Sequence, residues 1–100
     1  MATRELREPT FYVLTALAAG RRHGYALLED VIDISGGHCR LRAGTLYAAL
    51  DRLVSEGLVI VDSEEVVGGR MRRYYVLTDE GASLLGEHAD RMQSAAITAV

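Results

Sequence analysis

The chain has no lysine and no tryptophan, and only one proline, one cysteine and one phenylalanine in one hundred residues. The lone Cys39 excludes a disulfide scaffold. A single proline in a chain that is 49% hydrophobic excludes a disordered or low-complexity polymer. No apolar run approaches the roughly 20 residues needed to cross a bilayer. The opening MATRELREPT lacks the apolar stretch of a secretory signal. These absences predict a soluble, cytoplasmic protein with a modest core and no place in the membrane.

Without lysine, every base is an arginine. Eleven arginines stand against fourteen acids, a net charge of −3 that taken alone argues against a nucleic-acid binder. Distribution weighs more than the sum. Arg21 and Arg22, Arg40 and Arg42, and Arg70, Arg72 and Arg73 form three tight groups, while the acids concentrate in 29–33, 62–65 and 80–90. Such segregation fits one positive face on an acidic body; the competing reading is charge spread for solubility. The planar guanidinium fork suits phosphates and base edges.

Hydrophobic spacing predicts a helix from near Pro9, carrying Tyr12, Val13, Leu14, Leu17 and Ala18 and stopped at Gly20. A second helix is expected from Tyr25 to Ile34, broken by Ser35-Gly36-Gly37. In AGTLYAALDRLVSEG, Leu46, Leu50, Leu53 and Val54 repeat the helical spacing until Gly57. The period then changes: LVIV at 58–61 and RYYVLT at 73–78 read as strands joined through Gly68-Gly69. Thr78 is an N-cap for a last helix carrying Leu84, Leu85, Ala89, Met92 and Ala96, its start weakened by Gly81. The expected fold is mainly α with a small β-hairpin: a winged helix-turn-helix over residues 1–78, then a C-terminal dimerisation helix over 79–100.

In that architecture the third helix enters a major groove and the hairpin reaches a neighbouring backbone. Gly44, Thr45, Tyr47 and Arg52 are its candidate DNA contacts. Gly44 lets a backbone come close, and Thr45 and Tyr47 offer hydroxyls to phosphates. Tyr47 has a second reading, a partly buried bridge between helix and hairpin. Arg52 has one too, a surface pair with Asp51 or Glu56. Ala48 is too small to read a base other than through a thymine methyl. Arg70, Arg72 and Arg73 are the stronger electrostatic signal: six such charges in a homodimer, all meeting phosphates, give a log–log salt slope of about −5. Strand alternation puts Arg72, Tyr74 and Val76 on one face and Arg73, Tyr75 and Leu77 on the other, with at least one tyrosine packed on the helices. His23 is expected to cap or hydrogen-bond at the turn before the second helix. His23, His38 and Cys39 lack zinc-site spacing, so no metal and no cofactor is expected. No nucleophile, base and acid form a catalytic set, and the protein is read as no enzyme.

HGYALLEDV at 23–31, GTLYAALDRLVSEGLV at 44–59 and GGRMRRYYVLTDEG at 68–81 resemble the PadR family of bacterial transcriptional regulators. The length resembles the short-tailed branch, in which one C-terminal helix follows the winged domain. The resemblance implies a homodimer on palindromic double-stranded operator DNA, a repressor of neighbouring genes, relieved in some members by phenolic acids or hydrophobic drugs. It also implies that Thr45 and Tyr47 lie in the recognition helix and Arg70, Arg72 and Arg73 in the wing. The chain departs from the usual wording at Ala43, where a proline is common, and at Ala48, where a basic residue often follows the tyrosine. The second departure shifts the expected affinity onto the wing. Dimer contacts are expected at Phe11, Tyr12, Leu85, Ala89, Met92 and Ala96. A small hydrophobic or aromatic effector is expected among Phe11, Tyr12, Met92 and Ala96, which could equally just fill the interface. The alternative from another class is a winged-helix module that meets a protein partner and no DNA.

Overall fold

A computed structural model describes residues 6–99 of the chain. The first residues of the N-terminus and the last residue of the expected terminal helix lie outside that range. The elements are α1 (Glu8–Ala18), β1 (Arg22–His23), α2 (Gly24–Ile34), α3 (Ala43–Ser55), β2 (Val59–Val67), β3 (Arg70–Leu77) and α4 (Asp79–Thr98). The three strands form one antiparallel sheet in the order β1-β3-β2. The expected fold class holds, with a short third strand added.

The first three helices bury the leucines and valines that their spacing announces. Val13, Leu14 and Leu17 of α1 meet Leu27 and Val31 of α2 and Leu46, Leu50 and Leu53 of α3, all buried. Leu58, Val59 and Tyr75 close the core from the sheet side. A fully buried leucine contributes about 1.5–3 kcal/mol, so this cluster outweighs the weak intrinsic preferences of helices only 11 to 13 residues long.

The ends of the helices are chemically explicit. His23 caps α2, its Nδ1 accepting from the Ala26 N–H at 3.4 Å. Thr78 caps α4 by accepting from the Gly81 N–H at 3.0 Å while its hydroxyl donates to the Gly57 carbonyl at 2.7 Å. One threonine therefore ties the end of α3 to the start of α4. At the end of α3, Gly57 takes a φ of 76°, and the Leu58 and Gly57 N–H groups donate back to Leu53 and Val54 in a Schellman turn.

Three expectations need correction. The strands run well beyond 58–61 and 73–78, to a ribbon of nine and eight residues joined at Gly68-Gly69 with φ of 58° and 78°. The ribbon projects with both faces in solvent, so its outer half shows no alternation of apolar and polar residues to read. One extra residue on β2, Asp62, bulges out between the pairs Val61–Tyr75 and Ser63–Tyr74. Gly81 is a requirement of the fold and not a weakness of the helix start. It is buried, and a Cβ there would strike the Leu58 carbonyl oxygen and lie 2.7 Å from Leu77 Cδ1. Only a glycine lets the first turn of α4 lie this close to the Leu58 backbone and to Leu77 of β3. Finally, β1 has no counterpart among the expected strands, because two residues carry no period.

Candidate nucleic-acid interface

Opposite its buried leucines, α3 exposes Gly44, Ala48, Asp51 and Ser55 in one strip, at the helical spacings of four, seven and eleven residues. Thr45 and Arg52 border the strip on one side and Tyr47 on the other. A groove of about 430 Å³ runs along the first border, lined by Arg7, Pro9, Thr45, Ala48 and Arg52 among others. Along the second lies a cleft of about 210 Å³ whose lining includes His23, Gly24, Tyr47, Arg70, Arg72 and Arg73 but no acid. The exposed strip of α3 is thus flanked by arginines on both sides.

Tyr47 is 41% exposed. Its phenol lies across Gly24 at the start of α2, so closely that a Cβ on Gly24 would meet the hydroxyl and lie 2.6 Å from Cζ. The close contact of Tyr47 is thus with α2 and not with the hairpin, and the ring lines the wing cleft together with Arg70, Arg72 and Arg73. Gly44 has open space beside it and makes no close approach within the chain. Ala43 is the first residue of α3, so the helix starts there without a proline.

The arginines divide into held and unheld. Arg22 makes a bidentate contact to Asp30 at 2.7 and 2.8 Å, locking β1 to α2. Arg21 donates to Ser63 at 3.0 Å, pairs with Asp62 at 3.5 Å and stacks 4.4 Å from the Tyr74 ring centroid. Arg52 donates to Thr10 at 3.2 Å and pairs with Glu56 at 3.6 Å, the surface-pair reading, on the α1 side of the helix. Arg73 pairs with Glu64 at 3.3 Å, and its charge acts on the Tyr75 phenol, which shares its face of β3. Among the described residues, no hydrogen bond or ion pair engages the side chains of Arg40, Arg42, Arg70 or Arg72. Arg40 and Arg42 stand immediately before α3 and are not among the contacts expected from the sequence; their adjacency to a helix start is the signal that points to them.

The wing is built from two unlike faces, as alternation requires. Tyr75 is 1% exposed and anchors the ribbon in the core; burial pushes its phenol up, with Arg73 opposing the shift. On the other face Tyr74 packs edge-on to His23 at 5.5 Å and donates to Glu65 at 2.6 Å. Desolvation, then the nearby charges of Arg72 and Arg22, hold the His23 imidazole below its ordinary range. The acids at 62–65, which set the unfavourable charge balance of this region, are consumed in holding Arg21, Arg73 and Tyr74.

A model of the transcriptional regulator PadR-like family matches residues 13–87. The chain belongs to that family. Over 76 residues it is 37% identical to the transcriptional regulator Rv3488 of Mycobacterium tuberculosis, covering 76% of this chain and 67% of that protein. Over 81 residues it is 28% identical to the transcriptional regulator YqjI of Escherichia coli, covering 81% of this chain. The match spans 37% of the length of YqjI. Bacillus subtilis PadR, solved in complex with operator DNA, has a similar fold, with a TM-score of 0.68 at 23% identity, covering 77% of this chain and 44% of the other.

This PadR-like chain therefore has a regulator's fold, and its family is one of transcriptional regulators and not of enzymes. Among the described residues no three His, Cys, Asp or Glu side chains group as a metal site, and no helix is long and apolar enough to cross a membrane. Cys39 is half-buried in the loop between α2 and α3, where Ser35 accepts from its N–H at 2.9 Å. The residues expected at a dimer contact fall into two sets. Phe11 rests on His88 at 4.9 Å between ring centroids, Tyr12 donates to Glu8 at 2.9 Å, and Leu85 packs partly on the core. Ala89, Met92 and Ala96 are exposed on the outer part of α4, with Met92 at 58% and the adjoining Ile97 at 67%.

Proposed function

We propose that this chain is a sequence-specific repressor that binds a palindromic operator as a homodimer, with α3 in the major groove and the β2–β3 ribbon on the flanking backbone. The observation that carries this reading is the exposed strip of α3 set between two arginine-lined clefts. Gly44 and Ala48 let the helix approach base edges, Thr45 and Tyr47 face the phosphates on either side, and Arg70 and Arg72 extend the contact outward. Arg40 and Arg42 join them ahead of α3. Arg52 and Arg73 play the smaller part, since each is already engaged within the protein. The operator complex of Bacillus subtilis PadR, a protein of similar fold, supports the same reading.

Homodimerisation draws support from the stripe Leu85, Ala89, Met92 and Ala96, whose outer members and neighbour Ile97 are exposed on α4. Phe11 and Tyr12 stand on the helix that α4 packs against, where a partner's helix would meet them. In a two-fold dimer, adjacent half-sites one helical turn apart lie about 34–36 Å from centre to centre. A small hydrophobic or aromatic effector is proposed between the protomers at the same residues, Phe11, Tyr12, Met92 and Ala96. A titration with aromatic ligands that leaves DNA affinity unchanged removes the effector and leaves the dimer standing.

The deciding experiment is binding of the intact protein to its own promoter region, beside a variant in which Arg70, Arg72 and Arg73 are all glutamine. Selective binding by the intact protein and loss in the variant support the proposal. Absence of selective binding by the intact protein points to the protein-partner module instead.

A further inference from the structure

The strip that α3 presents outward contains a charge of the wrong sign for a surface meeting phosphates. Asp51 is exposed at its centre, one to two turns beyond Ala48 and Gly44. Among the described residues it makes no hydrogen bond and no ion pair. Arg52, the neighbouring base, turns instead to Thr10 and Glu56. The acids of β2 are explained by the arginines and the tyrosine that they hold; Asp51 holds nothing. Its charge is felt at the Tyr75 phenol below, which it disfavours ionising, and that contact needs no carboxylate.

Position decides what such a group can do. Gly44 has no side chain, Ala48 has a methyl, and both neighbouring borders carry the phosphate-seeking groups. Asp51 is consequently the one side chain in the inner two turns of the strip with both length and polarity. A carboxylate is repelled by the backbone but accepts a hydrogen bond from the exocyclic amino group of cytosine on the floor of the major groove. Building on the proposed DNA binding by α3, we infer that Asp51 is a specificity-determining residue: it accepts from a cytosine N4 amino group in each half-site and penalises complexes in which no such donor is present.

The consequence is double. Asp51 discriminates at one base pair, where a single mismatch typically costs a factor of at least about five in affinity. It also lowers binding to all DNA that lacks the donor, because an unsatisfied carboxylate then sits among phosphates. Specificity on this face comes from an acid and affinity from the arginines around it.

The test is selection from a randomised duplex pool by the intact protein, by Asp51→Ala and by Asp51→Asn, with affinities measured on the selected site and on mixed-sequence DNA. The intact protein is expected to fix a cytosine at one position of each half-site. D51A loses the preference at that position alone, by at least about fivefold, and binds mixed DNA more tightly. D51N moves the preference towards adenine, since an amide pairs with adenine N6 and N7. Selected sites that are identical for all three proteins, or a D51A variant that tightens every sequence by one common factor, would overturn the assignment of Asp51 alone. An intact protein that selects no motif removes the DNA-binding proposal beneath it, and the inference goes with it.

Discussion

The phenol of Tyr47 in α3 occupies the space that a Cβ on Gly24 of α2 would fill. This contact sets the separation of the two helices of the helix-turn-helix, and it orients the one aromatic residue of the helix proposed to face the groove. Gly24→Ala is expected to destabilise the fold by about 1–3 kcal/mol through overpacking, and to weaken DNA binding by displacing Tyr47. In a Tyr47→Ala background the space is open, and the same change should become neutral or stabilising by up to about 1 kcal/mol, as expected for alanine replacing a helical glycine. Thermal or urea unfolding of the four proteins reads this sign reversal directly. An equal cost in both backgrounds would mean that Gly24 is required for another reason.

Gly81 offers a contrasting case. A Cβ there meets the Leu58 carbonyl oxygen, which already accepts from the Thr78 N–H at 3.1 Å. Backbone yields less readily than a side-chain tip, so Gly81→Ala should cost at least about 2 kcal/mol. Conversion of a far-ultraviolet melting curve into stability checks the figure. A melting temperature unchanged by the substitution would show that α4 can shift without loss.

Salt dependence separates the held arginines from the unheld. Arg70→Gln and Arg72→Gln should each reduce the log–log slope of DNA affinity against salt by about 2 in a dimer, because each change removes one phosphate neighbour per protomer. Arg73→Gln, whose side chain already serves Glu64 and Tyr75, should change the slope less and unfolding more. Arg22→Gln should leave the slope alone and lower stability, since its partner is Asp30. The wings of a dimer then supply a slope nearer −4 than the −5 that six equivalent arginines would give, both taken as approximate.

His23 gives a pH signature. Its folded-state value is lowered by desolvation and by Arg72 and Arg22, so the unfolded chain takes up its proton first as the pH falls. Stability is therefore full above about pH 6.5, the unfolded value, and declines as the pH falls below it towards the lowered folded value. Protonation also removes the Nδ1 acceptor that caps α2. His23→Asn keeps a capping acceptor without titrating. Its melting temperature should accordingly lose this component of the pH dependence as the pH falls below about 6.5. A pH profile identical to that of the parent would assign the effect elsewhere.

The sequence is most legible where burial is one-sided. Leu46, Leu50 and Leu53 repeat with a helical period because one face of α3 lies against the core, and Thr78 and Gly57 stand where helix ends need an acceptor and a positive φ. The outer ribbon lacks such a record, since Glu64, Glu65, Arg72 and Arg73 pair across two solvated faces and no apolar alternation results. For the same reason the sequence does not show which arginines are already held. Which of them are engaged depends on Asp30, Asp62 and Glu64, partners eight to forty-one residues away or across a bulge. Gly24 and Gly81 are opaque too: the atoms that forbid a Cβ there belong to Tyr47 and Leu58, twenty-three residues away in each case.

Asp62, the extra residue of β2, gives the wing a property independent of its chemistry. On either side of the bulge the partners are already in step, Val61 with Tyr75 and Ser63 with Tyr74. Removing one residue there would leave Glu64 across from Arg73 and Glu65 across from Arg72, while relaxing the local bend and twist. The angle at which this ribbon leaves the body can thus be altered by a single codon, at the cost of the Asp62–Arg21 pair alone, with Glu64 and Glu65 still across from Arg73 and Arg72.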